Sequence, residues 1–509
     1  MQPIVLEPQV PAALSIQLRA LLPYLVVAGG GLAVMLVDAF VQTIKKGHLA
    51  FFSQAVLIVA GLALYFTPAV DDDLLGGMIR HEGYAQFFNF IFLGVGLVTV
   101  TYATATFDRD GDYRPEFYPL LLFAILGMMV LASASDLMTL YLGLETMSLA
   151  VYVLVGGRKG SLRSSEAGMK YLLLGGFASA ILLMGIALMY GYAGGTAYAD
   201  VRSALHGGAG STMLVAAASG LMLVGFSFKV AAVPFHMWTP DVYDGAPAYI
   251  TGFMATAVKA AAFAALVRWV VLMQPAGALV WFSLLAVLAV LTMTVGNLIA
   301  LAQSNIKRML AYSSIAHAGY MLLGVLALMA PGRGEASLAL RAQEIAAAAG
   351  GGVLFYLIGY SLMNLAVFGI INVLGRDQNH EADDINLYAG LARRQPVAAA
   401  AIAVAMFSLA GIPPTVGFMG KFYIFEAVVR AGLVPLAIWG VVNSLISVYY
   451  YLRVVVVMYM KPTEEESYDG RNWESAFTAG VLAVLVIFLG ILPGGLYYLA
   501  TGTFASVTY

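Results

Sequence analysis

Apolar residues along the chain form long runs separated by short charged or Gly/Pro-rich stretches. Each run has about the 20 residues that an α-helix needs to cross a hydrocarbon core of about 30 Å. The pattern therefore predicts an all-α polytopic membrane protein with about fourteen transmembrane helices. The predicted spans are 21–40, 49–67, 86–106, 117–134, 136–155, 167–193, 211–233, 246–272, 276–298, 308–330, 351–374, 396–430, 433–460 and 475–500.

The composition limits the chemistry that such a bundle can perform. Of 509 residues, 61% are hydrophobic and 11% are charged, and 26 Lys and Arg nearly balance 28 Asp and Glu, so no basic face for nucleic acid is expected. Cysteine is absent, which excludes disulfide scaffolds, thiolate zinc sites, iron–sulfur clusters and covalent c-type haem. The sequence also lacks a phosphate-binding loop and a metal-spaced His/carboxylate cluster, so we expect no cofactor and no metal in this chain.

The basic residues between the spans predict an orientation in the membrane. Odd-numbered connections carry sixteen Lys and Arg, whereas even-numbered ones carry six, namely Arg80, Arg202, Arg268, Arg333, Arg341 and Arg430. Because basic loops stay in the cytoplasm, the odd connections are predicted to be cytoplasmic and both termini to lie outside. The run Leu21 to Phe40 lacks a basic leader and a cleavage site, so it is interpreted as an uncleaved first span.

Four charged residues are assigned to the interior of predicted spans and not to the connections: Glu145, Lys229, Lys259 and Lys421. A charge at mid-membrane costs about 2.5–3.5 kcal/mol, so these side chains must face one another or water. Burial favours a neutral amine, whereas a nearby carboxylate favours the ammonium, so lysines linked by water and hydroxyls can carry protons. The alternatives are that the lysines extend to the membrane surface, or that Glu145 only neutralises a lysine.

Two histidines are candidates for proton relays, His317 in SSIAHAGYMLLG and His236 just after Pro234. Either could instead be a packing residue bonded to a neighbouring hydroxyl. Together they could also ligate a b-type haem, although no further pair of intramembrane histidines exists. His317 is the stronger candidate and is included in the predicted path.

Two spans are interrupted by proline, and each carries a lysine beside the break. Lys229 precedes Pro234, Lys421 follows Pro413 and Pro414, and both lysines close a Gly-Phe-x-x-Lys motif. The two spans are five apart and cross in opposite directions, as an inverted repeat of five helices requires. The predicted segments are a three-helix N-terminal part (1–116), a first repeat (117–272), a second repeat (276–460) and a C-terminal span (461–509).

Several motifs resemble one family of membrane subunits. Phe228–Tyr243, which reads FKVAAVPFHMWTPDVY, is similar to the seventh-span signature of the N-type, antiporter-like subunits of bacterial respiratory complex I. The resemblance extends to Ala257–Ala261, to Ser304–His317 and to Ser408–Pro414 with Lys421. The related M-type subunits usually carry Glu at the position of Lys421, so the N-type is favoured.

This resemblance implies both an architecture and a function. It implies fourteen core helices, two inverted five-helix repeats and broken helices seven and twelve. Protons would pass from Glu145 and its partner Lys229 through the central Lys259 and His317 to Lys421, while NADH:quinone electron transfer occurs in other subunits. The implied partners are other membrane-arm subunits and lipid, and the implied location is the bacterial plasma (inner) membrane.

Two other functions fit the same buried charges. A subunit of a multisubunit cation/proton antiporter, without a redox partner, would use buried lysines equally well. A structural anchor, whose lysines only stabilise assembly, is the third possibility. The motif between Pro234 and Tyr243 favours complex I.

Overall fold

The computed structural model describes residues 12–40, 46–111, 113–207, 211–273, 278–329, 336–374, 383–462, 473–505 and 507, and these are mostly helical. The first helices are α1 (Ala12–Phe40), α2 (Lys46–Phe66), α3 (Gly83–Asp110), α4 (Phe117–Ser133), α5 (Leu137–Val155), α6 (Leu162–Ala193), α7 (Tyr198–Gly207), α8 (Thr212–Val230), α9 (Trp238–Gly245) and α10 (Ala248–Phe253). A π-helix over Met254–Val258 leads into α11 (Lys259–Met273), α12 (Ala278–Leu301), α13 (Ile306–Leu328) and α14 (Ala336–Leu374). A 3-10 helix (Ile385–Tyr388) precedes α15 (Leu391–Arg394), α16 (Pro396–Ala410), α17 (Val416–Arg430), α18 (Val434–Met460), α19 (Trp473–Ile491) and α20 (Gly494–Ala505).

Twelve helical segments in the described ranges are long and apolar enough to cross a membrane. Helices suit this environment because they satisfy every backbone polar group internally. Two shorter apolar helices, Phe117–Ser133 and Pro396–Ala410, lie where the fourth span and the first part of the twelfth span were predicted. The prediction of an all-helical polytopic membrane protein is therefore confirmed.

A break follows α8, at the position that the sequence predicted for the seventh span. α8 ends at Val230, Ala231 adopts a left-handed φ of 61°, and α9 begins only at Trp238. Pro234 lies between the two helices; it has no amide hydrogen and its ring clashes with a preceding helical turn. The break leaves Lys229 in the last turn of α8.

A second break separates α16 from α17. α16 ends at Ala410, and Gly411 follows it with a left-handed φ of 86°, a conformation that glycine adopts without a steric penalty. Pro413 and Pro414 then prevent the helix from continuing, and α17 begins at Val416. Lys421 therefore lies one turn inside a new helix, close to the end of the previous one.

The most deeply buried helices lie at the centre of the bundle. In the most apolar 18-residue stretch of Ala248–Met273 all residues are buried, and in that of Ile306–Leu328 the buried share is 94%. In Gln17–Phe40 the buried share is only 33%. A helix that is apolar all round is expected to be enclosed by other helices. Lys259 and His317, which lie on these two central segments, are consequently in the protein interior and do not face lipid.

A small antiparallel sheet, which the sequence analysis did not predict, lies between α2 and α3. It consists of β1 (Val70–Leu74) and β2 (Ile79–His81), and a bridge joins β2 to Ala134 after α4. Strands of five and three residues show too little alternation to be recognised against long apolar runs. The hairpin places the residues at the start of α3 against the bundle.

Candidate functional site

Lys229 lies against α5 and is only 4% exposed. Its ammonium nitrogen Nζ donates hydrogen bonds to Ser148 Oγ at 2.7 Å and to Tyr152 OH at 3.3 Å. Ser148 and Tyr152 follow Glu145 by three and seven residues, so all three lie on one face of α5. The structure therefore brings Lys229 to the helix face that carries Glu145.

Glu145 and Lys229 do not form a direct ion pair. The Glu145 side chain is half-buried, and its Oε1 atom has no hydrogen-bond partner among the described residues. Ser148, which Lys229 contacts, is about 4.5 Å farther along the helix axis than Glu145 at 1.5 Å per residue. The interaction between this carboxylate and the ammonium, which the sequence predicted, stays a prediction.

Lys259 begins α11 directly after the π-helix and is 3% exposed. Its Nζ donates to the backbone oxygen of Ser314 at 2.6 Å and to Ser314 Oγ at 2.5 Å. The Tyr360 ring lies 5.8 Å from the same nitrogen. Such π-helical turns are frequent at functional sites, and this one was not predicted because an extra residue in a helical turn leaves no mark in an apolar sequence.

His317 connects three helices at the centre of the bundle and is 1% exposed. Its Nδ1 lies 2.5 Å from Tyr356 OH on α14, and its Nε2 lies 2.9 Å from Tyr451 OH on α18. Tyr451 OH also contacts Ser313 Oγ. Because each tyrosine hydroxyl can donate or accept, the imidazole can hold its proton on either nitrogen, as a proton relay requires. The relay role of His317 stays a prediction.

Lys421 is 4% exposed and occupies the end of α16. Its Nζ donates to the backbone oxygens of Leu409 and Ala410, at 3.0 Å each, and to Ser444 Oγ at 2.9 Å. The last carbonyl groups of a helix have no partner within the helix and carry its negative dipole end, so a cation is favourable there. The break before α17 thus provides a neutral but polar site for this ammonium.

The aromatic ring of Tyr320 lies between His317 and Lys421. Its centroid is 5.1 Å from Lys421 Nζ and 5.7 Å from the centroid of the His317 ring. Lys259, Ser314, His317, Tyr320 and Lys421 therefore form a continuous row of side chains through the centre. The alternative that the lysines extend to the membrane surface is wrong, because all three are buried and bonded to interior groups.

The second histidine, His236, lies apart from this row. It is half-buried in the segment between α8 and α9, beside Met237, which is 77% exposed. Its Nδ1 is buried and makes no hydrogen bond within the part of the chain that the structure describes. A relay role for His236 stays a prediction.

One buried charge was assigned to the wrong place by the sequence analysis. Arg268, counted as a residue of a connection, is 0% exposed inside α11, nine residues beyond Lys259. Its Nη2 lies 2.6 Å from Glu82 Oε1, and its Nε donates to Ala132 O at 2.9 Å. The sequence could have revealed this buried charge, because the predicted transmembrane span 246–272 already contains Arg268.

Comparison with known proteins shows the family to which the chain belongs. The family described as "NADH:quinone oxidoreductase/Mrp antiporter, TM" matches residues 134–447. NADH-quinone oxidoreductase subunit N of Trichlorobacter lovleyi is 44% identical over 483 residues, which are 94% of each chain. A chain of respiratory complex I from Thermus thermophilus is 35% identical with a TM-score of 0.78, over 94% of this chain and 99% of that one.

The fold and the buried lysines define an antiporter-like membrane subunit. A chain of the Mrp complex from a Dietzia species shares this fold, with a TM-score of 0.78 over 96% of this chain and 97% of that one, but is only 23% identical. That likeness shows the fold alone, so the antiporter alternative gains no further support. At 44% identity over nearly its whole length, the chain belongs to the NADH-quinone oxidoreductase subunit N family of complex I membrane subunits.

Proposed function

We propose that this chain translocates protons as a membrane-arm subunit of respiratory complex I, driven by NADH:quinone electron transfer in other subunits. One observation carries the proposal. Lys229, Lys259 and Lys421 are each 3–4% exposed, and none forms an ion pair within the described ranges. Each ammonium has only neutral partners, so its charge is poorly compensated and its proton is readily released.

The proposed path begins where Glu145 acts on Lys229. An ionised Glu145 favours the Lys229 ammonium; when the carboxylate is protonated, that attraction ends and the proton leaves Lys229 Nζ. Water carries it to the neutral amine of Lys259, which becomes an ammonium. His317 accepts the next transfer on one ring nitrogen and releases a proton from the other, and Lys421 Nζ receives it.

The proposed architecture is finer than the twelve long spans. Adding Phe117–Ser133 and counting α16 with α17 as one broken span gives fourteen crossings. The segments 117–272 and 276–460 would then be inverted five-helix repeats, flanked by 1–116 and 461–509; residue 276 lies outside the described ranges. A lysine beside a helix break in each half supports this symmetry. No resident cofactor or metal takes part in the proposed function.

The decisive test compares two lysine variants in the whole complex. Lys229→Met removes a buried proton carrier, whereas Lys461→Met makes the same substitution at an exposed lysine. In sealed membrane vesicles, we expect Lys229→Met to lower the rate of NADH-driven proton translocation per assembled complex at least several-fold, and the control to leave it unchanged. Undiminished protons per electron in a normally assembled Lys229→Met complex would rule out the path. Reduced abundance with intact stoichiometry would instead favour a structural anchor.

A further inference from the structure

The short helix α9 is held along one side, from Asp241 in its first turn to the residue after its end, by the start of α13. Arg308 Nη1 lies 2.9 Å from Asp241 Oδ1, and Asn305 Nδ2 donates to Asp244 Oδ1 at 2.8 Å. Lys307, which is 1% exposed, donates to the backbone oxygen that follows α9, Ala246 O, at 2.8 Å. Three residues of the run Asn305-Ile306-Lys307-Arg308, which the lysine path does not use, therefore contact α9 or the residue that follows it.

The same two carboxylates of α9 also contact α6. Lys170 Nζ lies 2.9 Å from Asp241 Oδ2, and Arg163 Nη2 lies 2.7 Å from Asp244 Oδ2. Gly245 ends α9 in such close contact that an added Cβ would lie 2.5 Å from Ala167 Cβ. Arg308 Nη1 also lies 3.8 Å from Asp244 Oδ2, so both carboxylates contact cations from α6 and from α13, which holds α9 between these helices.

The N-terminal residue of α9, Trp238, contacts the residue that precedes Lys229, the first lysine of the path. The indole nitrogen of Trp238 donates to Phe228 O at 3.1 Å, and Phe228 directly precedes Lys229. The Trp238 ring also stacks on Tyr171, with centroids 4.5 Å apart and planes at 11°. A displacement of α9 would therefore move the last turn of α8, which places Lys229 against Ser148.

α9 and α13 also meet at the central lysine. α9 packs against α13, the helix that carries Ser314, and Ser314 accepts both hydrogen bonds of Lys259. Ser314 follows Lys307 by seven residues, two helical turns along the same face of α13. One pair of helices thus contacts the surroundings of both Lys229 and Lys259.

We propose that four positioning residues, here called the α9 clamp, hold Lys229 and Lys259 in a fixed position relative to each other for proton transfer. The clamp consists of Asp241, Asp244, Asn305 and Arg308. This inference rests on the proposed function. The clamp residues do not carry the proton themselves. They fix α9 against α13, so that Trp238 on α9 and Ser314 on α13 keep the two lysine sites in one fixed relation, which a looser helix would lose.

The experiment uses the complete complex in sealed vesicles and measures assembled amount, NADH-driven quinone reduction and proton translocation per complex. Arg308→Gln is expected to lower the translocation rate per complex by about 2- to 30-fold, the range for residues that modulate coupling between sites. Arg308→Lys, which keeps the cation beside Asp241, should recover most of that rate. Lys159→Gln, which breaks the exposed ion pair with Glu116, is the matched control and should have no effect.

A double variant tests whether the clamp acts through α9. Trp238→Phe removes the hydrogen bond to Phe228, so Arg308→Gln combined with Trp238→Phe should lose no more than the more severe single variant. Independent losses that multiply, or a Gln variant that only lowers assembled amount, would overturn the inference. If Lys229→Met abolishes translocation while Arg308→Gln leaves it unchanged, this inference alone fails; if Lys229→Met has no effect, the proposed function fails first.

Discussion

At the scale of single residues, the buried lysines have two requirements that a membrane interior sets against each other. Each needs hydrogen-bond acceptors, because an unsatisfied ammonium in lipid is prohibitively unfavourable, yet a contacting carboxylate would hold its proton permanently. Serine and tyrosine oxygens and backbone carbonyls meet both requirements. Lys421 shows this most clearly, because two of its three acceptors are the terminal carbonyl oxygens of α16.

Lys421 is therefore predicted to have separable structural and functional roles. Lys421→Met leaves the carbonyls of Leu409 and Ala410 without this donor, which costs about 1–3 kcal/mol for each unsatisfied group, so both assembly and translocation should fall. Lys421→Arg keeps a cation with donors for these carbonyls, but its guanidinium does not release a proton at physiological pH. We expect the Arg variant to assemble close to normal amounts and still fail to translocate protons. Normal proton translocation in the Arg variant would contradict a proton-carrying role for Lys421.

At the scale of elements, the structure contains a second buried charged group besides the lysine row. The guanidinium of Arg268 on α11 meets Glu82, the residue before α3, and lies over the Tyr84 ring at 4.8 Å. Glu82 directly follows β2, so the ion pair also fixes the hairpin. Unlike the lysines, Arg268 does have a contacting carboxylate, which suits a group that holds elements together and does not exchange its proton.

Glu82→Gln is predicted to be a stability variant and not a transport variant. Removing one partner leaves a buried charge without compensation, a loss of about 3–5 kcal/mol, whereas replacing both partners by apolar residues is much less harmful. Assembled amount and thermal inactivation of the complex should therefore worsen in Glu82→Gln and recover in the double variant Glu82→Leu/Arg268→Leu. Proton translocation per assembled complex should stay normal in both. A selective loss of translocation would mean that this pair belongs to the proton path.

At the scale of the whole molecule, the distribution of basic residues predicts how the bundle is oriented in the membrane. Removing Arg268 from the even connections leaves five basic residues there against sixteen in the odd ones, so the bias becomes stronger. Basic residues are retained on the cytoplasmic side during insertion. The orientation predicted from this bias would place the α9 clamp towards the cytoplasm and the hairpin of β1 and β2 towards the outside.

The absence of cysteine makes this orientation directly testable. Lys159→Cys introduces a thiol in an odd connection and Ser203→Cys introduces one in an even connection, and both positions are exposed. A membrane-impermeant thiol reagent applied to intact cells should label the chain only at position 203. Position 159 should react after the cells are permeabilised. The reverse pattern would show that the chain is inverted and that the termini are cytoplasmic.

The sequence by itself determined the helical membrane fold, the two breaks and the charged residues that need an explanation. These features depend on hydrophobic length, on proline geometry and on the high free energy of a charge in lipid, all of which are local properties. Glu145, Lys229, Lys259, His317 and Lys421 could be named for that reason. Arg268 was missed only because it was counted with a connection, although its predicted span was correct.

The tertiary structure decided which groups these residues touch. The sequence could not show that Lys229 contacts Ser148 and not Glu145. Nor could it show that Lys421 binds the last carbonyl groups of α16, or that Arg308 holds α9. The contacts of Lys229 and Arg308 join helices that are distant in the chain, and the contact of Lys421 depends on how the chain turns between α16 and α17. Helices that are apolar all round give no periodic signal of which neighbour each face contacts. The chemistry of the buried charges was therefore readable from the chain, whereas their partners followed only from how the helices pack.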